Sequence, residues 1–344
     1  MSTIRVGVIG AGRIGRVHAE NLAHRMPGVE LAAVADPVGT AAQDCARALK
    51  LDRWTTDYRT LLADPAIQAV VIASSTDTHA TIIEEAAAAG KDIFCEKPID
   101  LDLARVDRAL DAVDRAGVRL QIGFNRRFDP SFAQARDLIA AGGIGKPHMI
   151  KVTSRDPKPA SLEYLAVSGG LFTDMTIHDF DVVRWLMGEE VVELFAMGAV
   201  LVDPAIGKLN DVDTAMISLR YGSGALGNID NSRQAVYGYD VRVEVFGSKG
   251  SVAVGNVTPT AVTHTTPAGV KGDAPLFWFI ERFEQAYLNE LREFASCIRE
   301  DRAPSVTGRD GRAPLLMAQA AWRSIQEGRA VRLDEVEAAA AGAR

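Results

Sequence analysis

The chain has 344 residues, 47% hydrophobic and 24% charged, too many for one ordinary core and enough for two domains with a cleft between them. Its formal charge of -7 argues against nucleic acid or an anionic membrane as the main partner, because either needs a basic footprint, and leaves a small molecule as the expected ligand. Cys45, Cys95 and Cys297 are odd in number and far apart with no C-x-x-C, which fits a reducing compartment and no metal cage. With neither a charged leader nor an apolar run of about 18 residues, a cytoplasmic location is expected.

Residues 3–9 form an apolar, β-branched run that meets Gly10-Ala11-Gly12-Arg13-Ile14-Gly15 before an amphipathic stretch through Val17, Leu22 and Met26. This is strand, glycine turn and helix. Gly10 permits the tight turn, Gly12 lets a pyrophosphate approach the backbone at the helix N-terminus, and Gly15 lets helix and strand pack closely. A second strand, residues 31–35, ends in Asp36, where an acid can bind the adenosine ribose hydroxyls and repel a 2′-phosphate. The combination predicts NAD as cofactor, in preference to NADP.

Helices at 38–49, 78–89 and 103–116 alternate with strands at 69–73, 92–95 and 119–123, a pattern that predicts a mostly parallel, doubly wound Rossmann sheet. Ligands of such sheets lie beyond the carboxyl ends of the strands. Two strand ends are therefore singled out, Ser74 to His79 and Cys95-Glu96-Lys97-Pro98. Thr76 and Thr78 could bond the nicotinamide-side ribose, although Thr78 reads equally well as a helix N-cap. Lys97 at its strand end would reach into the cleft, where burial and neighbouring cations lower a lysine's pKa enough for proton chemistry. The alternative is a surface lysine beside Glu96.

After residue 124 the character changes. A helix at 131–140 precedes strands at 148–154, 191–202, 214–221, 225–231, 242–246 and 251–254, with Tyr221-Gly222-Ser223-Gly224 and Gly247-Ser248-Lys249-Gly250 as hairpin turns. The expected second domain, residues 125–344, is an open-faced, mostly antiparallel sheet, with a place for the last helix against the first domain, residues 1–124. Met216, Ser218 and Arg220 alternate with Ile217, Leu219 and Tyr221, so one sheet face is expected to pair with another subunit. A helix inserted at 173–187 takes Thr173 as its N-cap after Gly169-Gly170. At 100° per residue Asp174, His178, Asp181 and Trp185 share one arc. Met175, Ile177, Phe180, Val182, Val183 and Leu186 make the remaining faces apolar. The Asp174 and His178 pair is then either a proton-handling site or a satisfied pair inside a core. Amphipathic helices around 277–298 and 311–326 follow, and residues 338–341 with their neighbours read as a frayed tail.

Taken jointly, Gly10 to Gly15, Glu96-Lys97-Pro98, Gly123-Phe124-Asn125-Arg126-Arg127-Phe128-Asp129, Gly169-Gly170 through Asp174 to His178-Asp179, and Tyr237-Gly238-Tyr239-Asp240 carry a resemblance over nearly the whole chain. The chain resembles the inositol dehydrogenase branch of the glucose/fructose oxidoreductase, inositol dehydrogenase and rhizopine-catabolism family. That resemblance implies Lys97, Asp174 and His178 as the catalytic set, with Arg127, Asp156, Asp181, Tyr237 and Tyr239 also near a cyclic polyol. Cofactor contacts are expected from Gly10, Gly12, Arg13, Ile14, Gly15, Asp36, Ser74, Thr76, His79, Glu96 and Lys97, and homotetramers through the open sheet are implied. The implied reaction is NAD-dependent oxidation of a ring alcohol, first myo-inositol to 2-keto-myo-inositol, with scyllo-inositol or an aldopyranose as alternatives.

A secondary alcohol gives its carbinol hydrogen as hydride to nicotinamide and its hydroxyl proton to a base. His178 suits that task near neutral pH, with Asp174 orienting it and Lys97 assisting, while lysine takes the proton in some relatives. Arg126, Arg127 and Arg155 suggest an anionic sugar instead, unless neighbours such as Asp129 and Asp156 pair with them. A non-catalytic NAD-binding sensor would keep the glycine turn and Asp36 but would not need Lys97 with Asp174 and His178.

Overall fold

Apolar runs separated by glycine turns build a six-stranded, wholly parallel sheet from β1 (Ile4–Ile9), β2 (Val29–Ala35), β3 (Trp54–Thr55), β4 (Ala69–Ile72), β5 (Asp92–Cys95) and β6 (Leu120–Ile122). Its order is β3-β2-β1-β4-β5-β6, so the strand order reverses beside β1, where doubly wound sheets bind ligands. The intervening helices are α1 (Arg13–His24), α2 (Gly39–Ala48), the short α3 (Arg59–Leu62), α4 (Thr76–Ala88) and α5 (Leu103–Ala116). Val8, Val34, Val71 and Phe94 are completely buried, as strands covered on both faces require.

The computed structural model describes residues 3–342, and the chain divides into two units. One takes in the described residues up to Phe128 together with Gln285–Leu315, the other Asp129–Glu284 and the residues from Leu316 on. The late segment joins the first unit because Leu288, Leu291, Phe294 and Ala295, on α12 below, share one buried cluster with Val6, Val8, Leu31 and Phe94. Each of the buried leucine, valine and phenylalanine side chains among them stabilises by about 1.5–3 kcal/mol.

The second unit begins at α6 (Pro130–Ala140), whose N-cap Asp129 accepts from the amides of Ser131 and Phe132. Next come β7 (Pro147–Arg155), α7 (Leu162–Leu165), α8 (Gly170–Asp174), α9 (Thr176–Met187), β8 (Val191–Ala199), α10 (Pro204–Gly207), β9 (Thr214–Tyr221), β10 (Leu226–Ser232), β11 (Asp240–Gly247) and β12 (Gly250–Val254). The chain ends with the hairpin β13 (Thr263–Thr266) and β14 (Gly269–Gly272), then α11 (Phe279–Arg282), α12 (Glu284–Glu300), α13 (Gly308–Glu327), β15 (Val331–Arg332) and α14 (Leu333–Gly342). The seven-stranded sheet runs β12-β11-β7-β10-β9-β8-β15. It is antiparallel except where β10 lies parallel to β7. Ile217, Leu219 and Tyr221 face inward, and the Tyr221 hydroxyl donates to the Val183 carbonyl of α9 at 3.2 Å.

Several sequence expectations change. Thr173 is not an N-cap, and no single helix spans 173–187. Instead α8 starts at Gly170, preceded by Gly169 at φ +83°, and a break at Met175 (φ −101°, ψ −57°) separates it from α9. The Leu171 amide, which a local cap would satisfy, donates to Asp211 Oδ1 at 2.9 Å, from 40 residues away. Thr78 lies inside α4, where its hydroxyl donates to the carbonyl of the N-cap Ser75 at 2.7 Å. The helix expected at 277–298 is two, α11 and α12, parted at Phe283. Residues 338–341 belong to α14, started by the Arg332 amide donating to Glu335 at 3.1 Å and held by buried Val336. Their neighbours at 343–344 lie outside the described residues. The hairpin of β13 and β14 and the edge strand β15 were not anticipated; among them the residues of the hairpin are exposed and mostly polar.

Candidate functional site

The glycine loop separates two steric roles from one of access. A Cβ on Gly10 would stand 2.4 Å from the Ala73 carbonyl oxygen, and one on Gly15 would stand 1.9 Å from that of Gly10. Gly10 also holds φ +103°, which side chains disfavour. Nothing lies within 4 Å of the Cβ position at Gly12, the N-cap of α1. Free amides, the helix dipole and open space there fit a pyrophosphate. Asp36 ties this loop to the end of β2, accepting from the Ala11 amide at 2.7 Å and the Val38 amide at 2.8 Å. Its negative charge therefore stands beside the phosphate turn, as ribose recognition requires. Arg13 is exposed and Ile14 half-buried on the first turn of α1.

Beyond β4, the Ser74 and Thr78 hydroxyls are 2.7 Å apart, and Thr76 is half-buried at the start of α4. His79 is buried, with Nδ1 2.8 Å from the Pro98 carbonyl oxygen and Nε2 3.0 Å from that of Ser74. It thereby clamps the loops after β4 and β5, and burial pushes its pKa down. Lys97 is half-buried between Glu96 and Pro98, to which it is joined by a cis peptide. Glu96 Oε1 lies 2.6 Å from His18 Nε2, and a Cβ on Gly123 would approach its carboxylate to 3.1 Å. Behind His18 stands Glu290, 4.0 Å away and fully buried. Sequence reading missed His18 and Glu290 because nothing in the spacing of residues 18, 96 and 290 links them. Arg127 donates to Asp310 at 2.8 Å. Although burial opposes it, the Arg127 charge and hydrogen bonds from Thr307 hold the Asp310 carboxyl below its ordinary range.

In the second unit Asp174 is the last residue of α8, and His178 lies half-buried in the first turn of α9. Their elements are separate, on either side of Met175. Asp174 Oδ1 accepts from the Tyr164 hydroxyl at 2.8 Å, and Oδ2 accepts from Arg233 Nη1 at 3.1 Å. The start of α9 is fixed by a buried ladder: Thr176 donates to Asn231 Oδ1 at 2.7 Å, and the Asn231 amide donates to Asp179 at 2.8 Å. Asp181 is buried and Asp156 half-buried. Tyr237 is exposed and donates to Asp240 at 2.6 Å, whereas Tyr239 is buried against the rings of Phe279 and Phe283.

Two of the three arginines have partners beyond those expected. Arg155 pairs with Asp230 at 2.6 Å, and Asp129 holds Arg282 at 2.6 Å. With Arg127 on Asp310 and Arg155 on Asp230, these two charges are balanced within the chain, which weakens the anionic-sugar reading. Tyr164, Arg233 and Asp211 lacked any sequence signal; only the fold assembles them around Asp174.

Residues 4–124 match the family described as "Oxidoreductase family, NAD-binding Rossmann fold", and residues 132–253 match the "GFO/IDH/MocA C-terminal domain". A myo-inositol 2-dehydrogenase of Thermotoga maritima is 48% identical over 97% of this chain and 99% of its own length. A solved myo-inositol dehydrogenase of Corynebacterium glutamicum superposes with TM-score 0.91 at 40% identity, over 96% of this chain and 99% of that one. A scyllo-inositol dehydrogenase of Lactobacillus casei, solved with bound NAD(H) and scyllo-inositol, also scores 0.91, at 31% identity over 97% and 100% of the two chains. The chain therefore belongs to the GFO/IDH/MocA oxidoreductase family.

Proposed function

We propose that the chain is an NAD-dependent dehydrogenase that oxidises a secondary alcohol of a cyclic polyol, foremost myo-inositol to 2-keto-myo-inositol. The observation that carries this reading is the 48% identity to a myo-inositol 2-dehydrogenase over 97% of the chain. Scyllo-inositol is the second reading, favoured by the TM-score of 0.91 to a scyllo-inositol dehydrogenase. In the proposed division of labour residues 1–124 hold NAD, while residues 125–344 supply substrate contacts and subunit contacts.

Bound NAD supplies the hydride acceptor. The open N-terminus of α1 at Gly12, within the loop Gly10 to Gly15, holds its phosphates and Asp36 its adenosine ribose, with Arg13, Ile14, Ser74, Thr76, His79 and Glu96 as further cofactor contacts. His178 takes the hydroxyl proton as the carbinol hydrogen leaves, Asp174 orients and charge-balances the imidazole, and Lys97 hydrogen-bonds the substrate oxygen. Arg127, Asp156, Asp181, Tyr237 and Tyr239 complete the proposed polyol contacts. We assign a homotetramer joined through the outer face of the seven-stranded sheet. A cytoplasmic location is supported by three buried, unbridged cysteines, Cys45, Cys95 and Cys297. No helix among the described residues is long and apolar enough to cross a membrane.

The test is NADH formation with myo-inositol, scyllo-inositol and glucose, using NAD or NADP. Highest kcat/KM with myo-inositol and NAD is expected, and no turnover of any polyol would leave the NAD-binding sensor in its place. His178→Ala should lower turnover by roughly 10²–10⁴, the usual contribution of a general base, with NAD affinity retained. Near-normal turnover of that variant would transfer the base role to Lys97.

A further inference from the structure

The Asp174 carboxylate closes the short α8 and immediately precedes Met175, the N-cap of α9. Two donors from elsewhere in the second unit meet its charge: the Tyr164 hydroxyl on Oδ1 at 2.8 Å and Arg233 Nη1 on Oδ2 at 3.1 Å. Arg233 directly follows β10 and is 1% exposed, a guanidinium withdrawn from water. Its second partner is Asp211 Oδ2 at 3.5 Å, while Asp211 Oδ1 accepts the Leu171 amide at the start of α8. Asp211 and Arg233 thus bracket α8 at both ends. A buried guanidinium is stable only when its charge is met, and here one of the two charges meeting it is Asp174.

We propose that Arg233 and Tyr164 are positioning residues, which hold the Asp174 carboxylate in one rotamer and moderate its negative charge, and so set the basicity of the imidazole that Asp174 serves. The proposal rests on the role given above to Asp174. Each donor withdraws electron density from the carboxylate that would otherwise stabilise an imidazolium. Tyr164 remains a donor throughout the working range, since burial of its hydroxyl end and the neighbouring Asp174 charge push its pKa far up, even though the residue as a whole is 48% exposed. Loss of either donor leaves the Asp174 negative charge less offset, which favours the protonated imidazole. The proton acceptor is then freed only at higher pH.

The experiment is the pH profile of kcat for myo-inositol oxidation at saturating NAD, for the wild type, Tyr164→Phe, Arg233→Met, Arg233→Lys and Asp174→Asn. Tyr164→Phe, at a partly exposed site and removing one oxygen, is expected to fold. It should move the acid limb of the profile upward by about half a unit to one unit and lower kcat at neutral pH several-fold, with turnover recovering at alkaline pH and KM for NAD unchanged. Arg233→Met should move the limb in the same direction and further, and Arg233→Lys, which keeps the charge, should restore part of it. A merely structural role would lower kcat evenly across pH and leave the limb in place; that result for Tyr164→Phe overturns the proposal, whether or not the Arg233 variants fold. Asp174→Asn separates the two levels. If it cripples turnover while Tyr164→Phe leaves the limb unmoved, the positioning claim alone falls; if it leaves both turnover and limb intact, the role of Asp174 falls and the positioning claim with it.

Discussion

Glu290 is a carboxyl group without exposed surface, and neither oxygen has a hydrogen-bond partner among the described residues. Its neighbour His18 has Nε2 engaged with Glu96 at 2.6 Å. Burial pushes the Glu290 pKa well up, and the Glu96 charge adds to this. The folded chain keeps a proton that the unfolded chain releases near the ordinary carboxyl value. The stability this group contributes is complete below the unfolded pKa and is lost as pH rises toward the folded one. Glu290→Gln keeps the shape and removes the titration. Thermal scans between acid and mildly alkaline pH should therefore show a flatter dependence of Tm for the variant, with the gain over wild type confined to the upper end. Identical slopes for both proteins would mean that Glu290 is ionised when folded. The three residues come from α1, the end of β5 and α12, so no local pattern announces them; the buried carboxyl emerges only once α12 joins the first unit.

At the scale of elements, the alternating βα pattern was legible because strand and helix periods are local properties of the sequence. The glycine loop was legible for the same reason, down to the separate tasks of Gly10, Gly12 and Gly15. The hairpins at 221–224 and 247–250 carry their own turn chemistry. The break between α8 and α9 was not legible, because apolar periodicity runs through Met175 without interruption, and the start of α8 was not legible because the acceptor of the Leu171 amide is Asp211, 40 residues away. The two halves of the site residues differ likewise: Asp174 and His178 stand out by residue type, but their supports on α7 and after β10 do not. Gly170 tests the bracket around α8. It holds φ +81°, and a Cβ there would stand 2.9 Å from Asp211 Oδ1 and 3.0 Å from the Trp322 ring. Gly170→Ala should cost about 1–2 kcal/mol in backbone strain alone and more from the displaced carboxylate. A lower Tm together with a loss of polyol turnover is expected, while NAD binding at the glycine loop persists. If calorimetry and turnover both match the wild type, Asp211 does not fix the start of α8.

At the scale of the whole molecule, the outer face of the seven-stranded sheet is the surface left to explain. Register places Met149 of β7 opposite Leu226 of β10 on one side and Phe246 of β11 on the other, while Met197 of β8 stands opposite Met216 of β9. These five side chains are 41% to 56% exposed, although Ile150, Ile217 and Val245 beside them in the strands are buried. Single exposed apolar residues need no explanation, but cross-strand neighbours of this kind form two apolar clusters on one face, and clusters of this sort mark association surfaces. A sheet face pairs well with its own copy, since a two-fold axis brings the same clusters against the partner's face. Light scattering on the wild type should accordingly give a mass several times the 36.9 kDa of one chain. Met149→Glu, at the centre of Leu226, Met149 and Phe246, would bury an unpaired charge at that contact and should lower the mass at micromolar concentration, with the fold of each subunit retained by circular dichroism. A wild-type monomer at that concentration, or an undiminished mass in the variant, would remove this face as the subunit contact.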